Sequence, residues 1–180
     1  DTPISTQTGK LAVSSSDLPL VEHIHNVLGE TNAQEQSSRP ATLEEMESGL
    51  SDFLSSGVLP QWVADVWEQV CQTGVGTVTV AYGTDIISYE YNGTDGVSCS
   101  YTTDLASGCV LGFQLYTKEE HTTSQERRQA VMERYIQYLG LDVLGDWVYN
   151  GNRYQSTEAQ LFVNALLEED SGGFSIGVEL

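Results

Sequence analysis

Two histidines stand two residues apart in Glu22-His23-Ile24-His25, the one metal-like cluster in the sequence. On a strand His23 and His25 would project to the same side and, with His121 or a carboxylate, could ligate zinc or copper. The competing reading is a solvated pair that titrates with pH. The spacing is short and the segment peripheral, so no cofactor is expected. Glu90 stands alone among small polar residues; acid/base chemistry would require a second carboxylate, and the sequence names none.

Three cysteines raise a separate question. Cys99 and Cys109 lie in one stretch, Val97 to Phe113, and would face each other if their strands pair around a tight turn. Facing positions bring β-carbons close enough for a disulfide when the local twist is favourable. Cys71 is then left over, either a small buried apolar residue, a bond to another chain, or a partner for one of the strand cysteines. In a reducing compartment all three would stay thiols. Asn92-Gly93-Thr94 is a glycosylation sequon in a turn, with Asn92 the acceptor.

Two further stretches imitate hydrolase signatures. Asp170-Ser171-Gly172-Gly173 resembles the nucleophile loop of chymotrypsin-like serine proteases. That fold needs a substantial barrel after its serine, and the segment fits a turn instead. Gly173-Phe174-Ser175-Ile176-Gly177 has the spacing of an α/β-hydrolase elbow. The elbow requires a following helix, acid and histidine, which places Ser175 on a strand. No catalytic residue is therefore expected. Asp85, Asp95 and Asp104 recur at successive turns, and turn chemistry accounts for them. Arg127-Arg128, a dibasic pair, reads as surface charge on a helix.

The elements that carry these residues follow from periodicity. Residues 1–40 mix polar residues with two short apolar patches and read as an N-terminal arm and polar linker, with one strand or short helix at Leu18–Leu28. Residues 41–180 are expected to form a single α+β domain. Thr42 with Glu45 makes a capping box for a helix ending at Gly57, and Pro60 opens a second, with Val63, Val66, Trp67, Val70 and Cys71 on one face before Gly74.

From Val75 the period changes to two, giving an antiparallel four-strand meander. A turn at Gly83-Thr84 sets Val80 opposite Ile87 and Val78 opposite Tyr89. A loop over 92–96 sets Tyr89 opposite Cys99, and Cys99 opposite Cys109 sets Val97 opposite Leu111. One face then collects the apolar residues and the cysteines. The other collects Thr77, Thr79, Ser88, Glu90, Ser98, Ser100, Thr102 and Gln114, because a one-residue slip would reverse every side chain. Thr77, Thr79, Ser88, Glu90, Ser98, Ser100 and Thr102 of this polar face are the candidate binding face, for sugar, ice or a partner protein, set against a merely hydrated exterior. Thr123 with Glu126 starts another helix, an Asn-Gly turn marks a small hairpin at 147–154, and Thr157 with Gln160 predicts a helix over Glu158–Glu169, closed by Gly172 or Gly173. Phe174, Ile176, Val178 and Leu180 alternate as a C-terminal strand. The helices are expected on one face of the sheet.

The whole-chain balance narrows the partners. Over 180 residues, 7 basic residues against 26 acidic give a formal net charge of −19. Such a field repels phosphate backbones and anionic lipid, which argues against nucleic acid and membrane surface. No apolar run reaches the roughly 18 residues of a membrane helix, so no membrane insertion is expected. An Asp at position 1 without a leader fits a removed signal segment or a trimmed chain. With scarce lysine and abundant Ser, Thr, Gly and Tyr, the expectation is a secreted, extracellular acidic protein without an active site, effector-like or toxin-like, binding a protein or cell-surface carbohydrate partner. Two alternatives stand beside it: a secreted hydrolase using carboxylate or His chemistry, and an intracellular halophile or viral structural protein.

Overall fold

Residues 19–29 begin at a proline, whose fixed φ and missing N–H suit the first turn of a helix. Val21 and Ile24, three apart, are its buried pair. This is α1, Pro19–Gly29. The computed structural model describes residue 14 and residues 17–29, 36–73, 75–81, 86–93, 96–118, 125–168 and 172–180.

The order continues β1 (Gln36–Ala41), α2 (Leu43–Ser55), α3 (Gln61–Thr73), β2 (Val75–Ala81), β3 (Ile86–Asn92), β4 (Ser98–Asp104), β5 (Val110–Tyr116) and α4 (Gln125–Tyr138). A short 3-10 turn at Leu141–Val143 leads into β6 (Val148–Tyr149), β7 (Tyr154–Ser156), β8 (Leu161–Glu168) and β9 (Gly173–Glu179). The class is α+β. Among the described residues nine strands form one antiparallel sheet in the order β1-β2-β3-β4-β5-β9-β8-β7-β6. It is thus not a four-strand meander with one strand added. Segments β2 to β5 are its middle run, and β9 inserts between β5 and β8.

Three expectations fail for physical reasons. Gln36–Ala41, expected within a polar linker, pairs residue for residue with β2. Its side chains Ser37, Ser38, Arg39 and Pro40 are exposed, so backbone hydrogen bonding holds this edge strand and no apolar alternation announces it. Residues 157–168, expected as a helix, form a turn and then β8. Gln160 takes a φ of 54°, a left-handed conformation that stops a helix before it starts. Leu161, Val163 and Ala165 then alternate into the core, and β8 is bonded on both sides, to β7 and β9.

The third failure is register. Val80 does face Ile87 and Val78 faces Tyr89. Tyr89, however, faces Tyr101 while Cys99 faces Tyr91 on β3 and Leu115 on β5. The β3–β4 offset is two residues, an even number, so the two faces sort as expected. The β4–β5 turn is displaced because Asp104 closes it: its amide donates to Cys109 O at 2.9 Å, and Ser107 N donates to its Oδ2 at 3.1 Å. A bulge between Thr102 and Thr103 absorbs the remainder.

Rings make up much of the core. Phe53 of α2 meets Phe113 with centroids 5.8 Å apart, Trp67 of α3 meets Tyr101 at 5.8 Å and Tyr91 at 5.7 Å, and Trp62 meets Phe174 at 6.5 Å. From α4, Tyr135 Oη donates to Val110 O at 2.8 Å and Tyr138 Oη accepts from Val110 N at 2.9 Å. Both backbone groups of Val110, beside the bulge, are thereby satisfied. Burial holds the phenol of Tyr135 well above its ordinary range, and that of Tyr138 at about 12. No helix among the described residues is long and apolar enough to cross a membrane.

Candidate functional site

The polar face is built from transverse rows, because residues paired across adjacent strands share a side of the sheet. One row runs Thr77, Glu90, Ser100, Gln114, Ser175, Leu166. The next runs Ser38, Thr79, Ser88, Thr102, Gly112, Gly177, Asn164. Every polar-face residue expected from sequence falls into these rows or the neighbouring one, where Ser98 faces Asn92 and Tyr116. Cross-strand hydroxyl contacts link them: Ser38 Oγ and Thr79 Oγ1 lie 2.9 Å apart, Ser88 Oγ and Thr102 Oγ1 3.4 Å. Asn92, the sequon acceptor, is exposed at the end of β3.

A hollow of about 310 Å³ opens on this face. Gly112 and Gly177 face each other beneath it, and the absence of two side chains there makes the depression. Ser100, Thr102, Gln114, Asn164, Ser175 and Glu179 stand around it. Asn164 Oδ1 is buried without a hydrogen-bond partner, an acceptor left unsatisfied at the wall. Glu179 is held by Arg153 at 3.1 Å, and the Arg153 guanidinium lies 3.5 Å over the Phe162 ring. A second hollow of about 60 Å³ adjoins, sharing Gln114 and Ser175 and reaching exposed Tyr116 and Leu166. Sequence reasoning reached Ser100, Thr102 and Gln114 but missed Asn164 and Glu179. Asn164 was assigned to a helix, and for Glu179 only the register of β9 reveals the face.

The histidines do not converge. Residues two apart on a helix point about 200° around its axis from one another. His23 Nδ1 lies 3.0 Å from Asp104 Oδ1, whereas His25 Nε2 lies 2.6 Å from Ala159 O and must carry the proton it donates. His121 lies outside the described residues, as do Asp85, Asp95, Asp170 and Ser171. Among the described residues no group of three or more His, Cys, Asp or Glu side chains is placed to hold a metal.

Asp104 is fully buried, and His23 keeps 26% exposure, at a hollow of about 280 Å³ lined by Pro19, Leu20, His23, Asp104, Ala106 and Ser107. Ser, His and Asp meet here, but in the wrong order for nucleophile activation. Ser107 Oγ donates a hydrogen bond to Asp104 Oδ2 at 2.5 Å, and His23 sits at the other oxygen. A serine nucleophile needs the histidine as its own acceptor. The approach of His23 to Oδ1 is a close polar contact and not an aligned hydrogen bond.

No disulfide joins Cys99 and Cys109. Cys99 lies buried on β4 opposite Leu115, and Cys109 ends the turn beside Asp104. Five residues of strand, roughly 17 Å, separate the two levels, far beyond the reach of a disulfide. Burial raises the Cys109 thiol above its ordinary range; a hydrogen bond with Ser107 opposes this and the Asp104 charge adds to it. Cys71 falls within α3, and its side chain is outside the described residues. Ser175 is a residue of β9, as the alternation requires. Compared with family models, curated proteins and solved structures, the chain matches none of them.

Proposed function

We propose that the chain is a secreted, acidic interaction protein, effector-like or toxin-like, that acts without an active site by binding through the outer, polar face of its sheet. The observation that carries this reading is the pair of polar rows crossing six and seven strands around a glycine-floored hollow. In this reading the helices roof the aromatic face, as the contacts of Phe53, Trp62 and Trp67 with Phe113, Phe174 and Tyr101 suggest. The polar face is left for a partner, a protein or a cell-surface carbohydrate. Secretion rests on composition alone, and the charge of −19 favours partners that are neutral or basic. A hydrolase using His23 would need a nucleophile bonded to that ring, and Ser107 is bonded to Asp104 instead.

Fluorescently labelled full chain applied to intact cells and to immobilised extracellular matrix tests the reading. Retention is expected to vanish in Ser88→Arg and Ser100→Arg, which put bulk on the polar face, and to persist in Glu68→Arg on the exposed side of α3. Absence of retention on every surface, or equal retention by all three variants, overturns it.

A further inference from the structure

The two hollows share Gln114 and Ser175, so they form one trough along β5 and β9, from exposed Tyr116 and Leu166 at one end to Glu179 at the other. We infer that this trough is the binding site of an elongated neutral oligosaccharide; the inference rests on the interaction reading above and specifies its ligand. Three features select that chemistry.

The first is the absence of main-chain groups to bind. Strands β5, β9 and β8 are each bonded on both sides, so an extended peptide finds no open ladder here to join. Recognition falls to side chains alone. The second is what those side chains are. The Ser175 hydroxyl and the Gln114 amide each donate and accept, as ring hydroxyls do, and the Asn164 side chain lines the same hollow.

The third feature is charge. Among the described residues, the carboxylate that lines the trough, Glu179, is paired with Arg153, so no bare cation is offered to an anionic ligand, and the whole-chain field repels one. Size agrees: about 310 Å³ with a further 60 Å³ alongside accommodates more than one sugar ring, within the usual range of ligand pockets. The paired glycines let a ring lie close to the sheet, and exposed Tyr116 offers an aromatic surface for an apolar sugar face.

Saturation-transfer NMR on the full chain with purified hexasaccharides of β-glucan, chitin, mannan and xylan tests the inference, with a sulfated oligosaccharide as the anionic control. Saturable transfer to at least one neutral chain is expected. In Gly112→Val, where a β-carbon meets nothing within 4 Å, the dissociation constant should rise at least tenfold while the melting temperature holds. Gln114→Ala, at an exposed position, should weaken binding severalfold and guards against a folding artefact in the first variant. Transfer to no neutral chain, preference for the sulfated control, or unchanged affinity in both variants overturns the inference. If the neutral chains fail while Ser88→Arg and Ser100→Arg still abolish surface retention, the ligand is wrong and the interaction reading stands.

Discussion

The carboxylate of Asp104 is shut away from water, and its two oxygens differ: Oδ2 closes the β4–β5 turn through Ser107, while Oδ1 lies 3.0 Å from His23 Nδ1 on α1 without an aligned hydrogen bond. A buried carboxylate that loses its partners is costly because an orphaned group remains behind. Asp104→Ala is expected to cost about 0.5–1.5 kcal/mol in urea unfolding, through the lost hydrogen bonds from Ser107, which lies exposed and can turn its donors to water. Ser107→Ala should cost at least as much, since it removes both the hydroxyl donor to the buried Asp104 Oδ2 and the acceptor of the Cys109 N–H. At Cys109 the raised thiol predicts slow alkylation of the native chain at neutral pH, with rapid reaction once denatured. A non-reducing peptide map should show no link between Cys99 and Cys109. These residues also mark a limit of sequence reading. Asp104 was legible as a turn residue, but its pairing with His23, 81 positions away by numbering, depends on where α1 docks.

Among the elements, those with a local signal were read correctly. The capping residues and apolar stripes of α2 and α3, the alternation in β2 to β5, the Asn-Gly hairpin and the C-terminal strand all state their conformation within a few residues. The polar face was readable for the same reason, since alternation alone sorts it. Strands β1 and β8 were not. The first is fixed by hydrogen bonds to a neighbour 40 or so positions away and carries no alternation of apolar side chains to announce it. The second has apolar residues at 161, 162, 163, 165, 166 and 167, which suits a helix as well as a strand, and long-range pairing decides. The backbone at Gln160 offers a check. Gln160→Gly removes a left-handed strain and should stabilise the chain by up to about 1 kcal/mol, seen as a higher melting temperature. Were 157–168 helical, glycine there would destabilise instead. Phe53→Ala, which removes a ring that touches Phe113, Tyr135 and Tyr138, should cost about 3–5 kcal/mol in the same assay.

At the scale of the molecule, charge and buried phenols set the response to solvent. Self-repulsion at −19 predicts a melting temperature that climbs with added sodium chloride at neutral pH and levels off once the charges are screened. Alkaline stability follows from Tyr138 and Tyr154, whose phenols burial pushes up to about 12 from an ordinary value of 10. A raised folded pKa means that the native chain holds its proton more tightly than the unfolded chain. The corresponding stability is complete below pH 10 and is lost as pH rises toward 12, which unfolding titrations across that window will register. The insertion of β9 between β5 and β8 has a consequence for biogenesis. A ribosome delivers the keystone after the other described strands, so the flanks of β5 and β8 that it seals stay open on the nascent polypeptide until translation has passed Glu179. Until then the growing chain can close only two separate leaflets.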